Sequence, residues 1–84
     1  MDLTQLVEGI TSREDLVSAV RTLIDSLQAE PEKWENRDLA SYLEALAGWI
    51  EDMEGYYQGL GRPVPEQPSW KTFGEILLAA RVYE

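Results

Sequence analysis

Along most of this chain, apolar residues return every three or four positions, the spacing that lines up side chains on one face of an α-helix. Leu3, Leu6, Val7 and Ile10 outline a short helix ended near Gly9. Thr11 with Glu14, or Ser12 with Asp15, then has the form of a capping box, in which a hydroxyl accepts from an early helical amide and the acid returns the bond. Behind that start, Leu16, Val17, Val20, Leu23, Ile24 and Leu27 make an inward stripe with Arg13, Arg21, Asp25 and Gln28 turned outward. Pro31 stops this helix near Ala29 or Glu30.

A polar connector follows, with Trp34 as an apolar anchor folding back on the core, and Asn36 or Asp38 supplies the next N-cap. Leu39, Tyr42, Leu43, Leu46, Trp49, Ile50, Met53 and Tyr57 keep a helical stripe until Gly59 and Gly61 end it, with Gly55 a possible earlier stop or kink. Gly48, inside the stripe, costs about 1 kcal/mol relative to Ala, so a close helix or ring contact is expected over it. Residues 59 to 68 carry three prolines and read as a stiff spacer that holds the last helix against the one before. Arg62, Pro65 and Pro68 also have the spacing of a proline-groove ligand, and the spacer reading is preferred. Ser69 caps a final helix with Trp70, Phe73, Ile76, Leu77 and Ala80 inside, Leu78 outside, and Lys71 paired with Glu75. No alternating strand pattern is present. The expected fold is all-α: one domain over residues 1–84, a small bundle of three principal helices plus a short N-terminal one.

Composition then narrows the chemistry. With no Cys and no His there is no thiolate nucleophile, no imidazole base and no Cys or His metal site, so catalysis and a bound metal or cofactor are not expected. The carboxylates follow neither a calcium-loop nor a di-iron spacing, and paired acids on an exposed helix keep near-normal acidity. Neither a signal-peptide pattern nor a long apolar run is seen, and a cytoplasmic protein is expected.

Sixteen acidic against seven basic side chains give a formal net charge of -9, which disfavours nucleic acid and anionic membrane as partners and favours a basic protein. From Glu30 to Glu54 there are eight acids and two bases, so this stretch contributes -6 of the total. Glu51, Asp52 and Glu54 crowd the later part of the third helix, where the macrodipole disfavours negative charge by about 0.3–1 kcal/mol each. Asp38, Glu44, Glu51, Asp52 and Glu54 are therefore the candidate partner-binding carboxylates. Tyr56 or Tyr57 adds contact area, since two adjacent residues cannot both point inward. Trp49 and Trp70 belong to the core. The bland alternative gives the acids no binding role and leaves a soluble monomer, or a homodimer joined through helix faces.

The segments Trp34-Glu35-Asn36, Trp49-Ile50-Glu51-Asp52-Met53, Pro68-Ser69-Trp70-Lys71-Thr72-Phe73 and Leu78-Ala79-Ala80-Arg81-Val82-Tyr83-Glu84 together resemble a small bacterial family of uncharacterised proteins, from about Thr11 onward. That resemblance implies a compact, stand-alone helical domain and brings no activity. One helix also resembles barstar-type ribonuclease inhibitors, in which an asparagine-capped acidic helix faces a basic nuclease. By that likeness Asn36 is the cap, Glu44 takes the place of a key aspartate, and Gly48-Trp49-Ile50-Glu51 follows the family's run. The inhibitor fold needs parallel strands that this chain does not show, so only the way an acidic helix works carries across.

Overall fold

In a computed structural model that describes residues 3–83, those residues form α1 (Leu3–Glu8), α2 (Arg13–Ala29), one turn of 3-10 helix (Pro31–Lys33), α3 (Leu39–Gly59) and α4 (Trp70–Ala80). No strand occurs among them. The fold is all-α, three principal helices and a short N-terminal one.

Each principal helix starts where a hydroxyl or carboxylate can accept an orphan amide. Ser12 caps α2 by accepting from Asp15 N, and the Asp15 carboxylate accepts from both the amide and the hydroxyl of Thr11 at 3.0 Å. The reciprocal bond thus lands one residue before the cap. Those donors also hold the Asp15 carboxyl below its usual range. Of the two candidate caps for α3, Asp38 takes the role, accepting from Ser41 N at 2.9 Å. Ser69 and Thr72 form a full capping box on α4. α3 runs through Gly55 and ends in a Schellman motif: Gly61 takes φ +68, its amide donates to Gln58 O, and Arg62 N donates to Tyr57 O. Because the helix continues to Gly59, Glu51, Asp52 and Glu54 precede its last turn, and the dipole penalty expected for them is small.

α4 is the central element and packs against α3, α2 and α1. On one side Val7 and Ile10 meet Ala19 of α2, with Leu6, Leu16 and Leu78 packed around them. Leu78 therefore faces inward, not outward. Gly74 permits this approach, since a Cβ there would lie 2.5 Å from Ile10 Cδ1. On the other side Trp49, Tyr57 and Ile76 form a second cluster with Leu46, Met53, Ala79 and Tyr83. Trp34 is buried as expected, its indole N–H donating to Ser26 Oγ at 3.2 Å and its ring stacked on Tyr42 at 6.0 Å.

The carbonyls at the C-terminus of α4, which no intrahelical amide can reach, all find donors. Leu77 O accepts from Tyr42 Oη, Leu78 O from the Arg81 guanidinium, and Ala79 O from the amides of Val82 and Tyr83. Asn36 completes the set: its side-chain amide donates to Ala80 O and Tyr83 O, each at 2.9 Å, and its backbone amide to Arg81 O. Asn36 is thus a clamp on the far end of α4 rather than a helix N-cap.

Part of each expected apolar stripe is exposed: two of six positions on α2, three of eight on α3 and two of five on α4. Among the described residues α2 and α3 make no close backbone contact with each other, so α4 is flanked by them but not roofed over. The shortest dimension, 18 Å, leaves room for two helix layers spaced about 8–10 Å apart and for no third. Val17 and Ile24 on α2, and Leu39, Leu43 and Ile50 on α3, are consequently exposed, as are Trp70 and Phe73, each 43% accessible. The buried positions of α4 are Thr72, Gly74, Ile76 and Ala80. Trp49 is core and Trp70 is not.

Candidate interaction surface

α3 presents its carboxylates in three different ways. At about 100° per residue, Glu44 and Glu51 sit almost in line two turns apart, and Glu54 lies within about 80° of both. All three are exposed, and among the described residues none forms an ion pair. Glu54 accepts one bond, from Gln58 Nε2 at 3.3 Å. Asp52 is turned to the flank and accepts from the Tyr83 hydroxyl, a bond that raises the tyrosine pKa above its ordinary value. Tyr83 also lays its ring over Gly48, 3.5 Å from where a Cβ would stand, which supplies the expected ring contact yet leaves room for alanine. Asp38 is committed to the helix cap, and the amide of Ser41 holds its carboxyl below the usual range. The five candidate acids therefore resolve into a ridge of three, a cap and a flank residue bonded to the chain's end.

The tyrosines separate cleanly. Tyr57 is fully buried and cannot be a contact residue. Its ring carries the Arg62 guanidinium at 5.2 Å, and its hydroxyl donates to Glu75 Oε2 at 3.1 Å. Burial, reinforced by the neighbouring Glu75 carboxylate, pushes its pKa up to about 12. Glu75 also pairs with Arg62 at 3.7 Å, so it turns to the connector and not to Lys71 as its spacing suggested. This arrangement pins the proline-rich spacer to the core and engages Arg62 internally. Tyr56 is exposed beside Trp49, about 140° round α3 from Glu51 at 100° per residue, so it does not join the acidic ridge.

Next to that ridge lies a feature the stripe analysis did not anticipate. A groove of about 360 Å³ opens between α2 and α3, lined by Val20, Ile24, Leu27, Leu39, Tyr42 and Leu77. Its apolar lining continues along each helix at helical spacing, to Val17 on α2, to Leu43 and Ile50 on α3, and to Phe73 on α4. Trp70 extends it, with its ring 6.2 Å from that of Phe73. Leu39 is 72% accessible, and the other exposed members lie between 42% and 51%. Taking about 100 Å² per aliphatic and about 200 Å² per aromatic side chain, scaled by exposure, the surface left open is roughly 400–450 Å². That is the size of the largest apolar patch on a typical monomer, about 300–600 Å², and such patches are often functional.

Residues 12–84 match a family of unknown function, DUF7660. The chain belongs to the DUF7660 family. No curated protein and no solved structure matches it. The region shared with DUF7660 contains α2, α3 and α4 complete, and hence both the acidic ridge and all three walls of the groove, while α1 lies outside it.

The groove is lined almost wholly by hydrocarbon, and the ridge carboxylates lie open to water. Among the described residues no group of three or more Asp, Glu, His or Cys side chains is placed to hold a metal ion, and no helix is long and apolar enough to cross a membrane. What the surface can do chemically is attract cations with the ridge and cover apolar side chains with the groove.

Proposed function

We propose that this chain is a non-enzymatic interaction domain of the bacterial cytoplasm, of the inhibitor or immunity-protein kind, that binds a basic protein through the outer ridge of α3. The observation that carries this reading is that Glu44, Glu51 and Glu54 share one exposed face of α3 with no cation among the described residues paired to them. Ion-paired acids would have had to lose their partners on binding. Unpaired ones contribute undiminished to the field of a chain whose net charge is -9. Such a field raises the association rate and selects against acidic competitors more than it adds affinity. The cysteine-free composition suits a reducing compartment.

The test is retention of a cationic protein on the immobilised chain at about 50 and about 300 mM salt, where screening shortens the reach of exposed charges. The triple variant Glu44→Gln, Glu51→Gln, Glu54→Gln is run alongside. The reading expects capture at low salt, loss at high salt and loss in the variant. A partner held equally by the variant, or indifferent to salt, overturns it.

A further inference from the structure

The groove lies beside the acidic ridge on one edge, while its other edge is mixed in charge. On the α2 side, Arg21 stands one turn from Ile24 and from Val17 and one turn before Asp25, and Arg13 pairs with Glu14 at 3.5 Å. On the α3 side, Glu54 stands one turn after Ile50, with Glu51 and Glu44 on the same outer ridge. The floor is the open face of α4, whose 11 residues give it a length of about 16 Å. A trough of this length, apolar inside and bounded by two helices, matches about three turns of a helix.

Resting on the reading of the acidic ridge given above, we propose that the α2–α4–α3 groove receives an amphipathic helix of the partner, with its apolar stripe on Leu39, Leu43, Ile24, Leu77 and Phe73 and its Lys or Arg flank against Glu44, Glu51 and Glu54. Two observations select this occupant over a second copy of the chain. Each copy carries nine net negative charges, so two copies meeting face to face repel, whereas a cationic helix is drawn in. The open apolar area of roughly 400–450 Å² also falls short of the ~800 Å² per partner of a standard interface between two globular surfaces. An inserted helix uses the concavity, since it contacts floor and both walls at once. The acidic ridge also orients the guest, whose cationic flank lies along α3, while the mixed charge of α2 selects neither sign on the other flank.

Two synthetic 15-residue helices test this, identical in a leucine stripe and differing only in whether the flank against α3 is lysine or glutamate. Binding to the 84-residue chain is followed by the emission of Trp70, the accessible indole, with the variant Trp70→Phe identifying its signal. The lysine-flanked helix is expected to bind and the glutamate-flanked one not. Ile24→Ser with Leu43→Ser removes two half-exposed contacts and weakens binding about 10- to 100-fold, without loss of fold because neither side chain is core. Glu51→Gln with Glu54→Gln weakens it about three- to tenfold and removes most of the salt dependence. If the charge variant weakens binding and the groove variant does not, the ridge reading stands and the groove assignment fails. Binding of both helices, binding of neither, or a reversible homodimer that Leu43→Ser dissociates each overturns the assignment.

Discussion

Asn36 is the single side chain whose loss should most disturb the helix on which everything else is built. Its amide group donates to Ala80 O and Tyr83 O, closing the C-terminus of α4 across 44 and 47 residues of sequence. Asn36→Ala leaves both carbonyls without that donor in a partly buried site, and a net hydrogen bond is worth about 0.5–1.5 kcal/mol, so the cost is about 1–3 kcal/mol. The backbone bond from Asn36 N to Arg81 O survives the substitution, which places the expected value in the lower half of that range. For a domain of this size, ~1 kcal/mol moves the melting midpoint by about 4–8 °C. Asn36→Asp is the sharper experiment. It keeps the shape but turns two donors into charged acceptors facing two carbonyl oxygens, so at neutral pH it must be less stable than the alanine variant. Thermal and urea unfolding followed by circular dichroism measure both. An alanine variant melting within about a degree of the parent, or an aspartate variant at least as stable as the alanine one, would refute the clamp.

Other outcomes follow from the same geometry. Gly55 lies inside α3 with open space where a Cβ would go, so Gly55→Ala should stabilise by up to about 1 kcal/mol, whereas Gly61→Ala, forced to φ +68, should destabilise by about 1–2 kcal/mol; urea midpoints moving the same way in both would contradict this. Tyr57, with a folded-state pKa of about 12 against 10 for the free side chain, contributes stability that is complete below pH 10 and is lost as the pH climbs toward about 12. Urea titrations across that range should fall less steeply for Tyr57→Phe, although Tyr42 and Tyr83, also raised, leave part of the slope in place. Leu39→Ser, at a side chain 72% accessible, should change stability by less than about 0.5 kcal/mol, against about 2–5 kcal/mol for Leu23→Ala in the core; comparable losses would mean the groove is closed in solution.

The helices, their caps and the all-α class were legible in the sequence because each depends on local spacing and on short-range hydrogen bonds. Ser12, Asp38 and Ser69 mark their helices by chemistry that acts within three residues. Which part of each stripe is core was not legible, since that depends on which helix packs where. At 100° per residue the eight apolar positions on α3 fall within one arc of about 120°, the ordinary width of a core-facing stripe. Trp49 and Tyr57 packed with Ile76 of α4, whereas Leu39, Leu43 and Ile50, within about 40° of Tyr57 but nearer the start of the helix than it, stayed exposed. Spacing does not separate the two sets, and the same holds for Val17 and Ile24 on α2, so the groove left no periodic signal. Gly74 was missed for a related reason: a close approach between α1 and α4 leaves no periodic trace. Of the candidate acids, Glu44, Glu51, Asp52 and Glu54 lie on α3 and Asp38 caps it, and Asp38 and Asp52 are drawn into hydrogen bonds whose partners could not be ranked from spacing alone.

The central claim, that the apolar trough and the acidic ridge of α3 form one docking face, is tested most directly by methyl and amide NMR shifts during titration with the lysine-flanked helix. The account predicts the largest changes at the methyls of Ile24, Leu39, Leu43 and Ile50 and at the amides of Glu51 and Glu54, with Val7, Ile10 and Ile76 little affected. Shifts that spare the trough, or that centre on the opposite face around Tyr56 and Arg62, would contradict it.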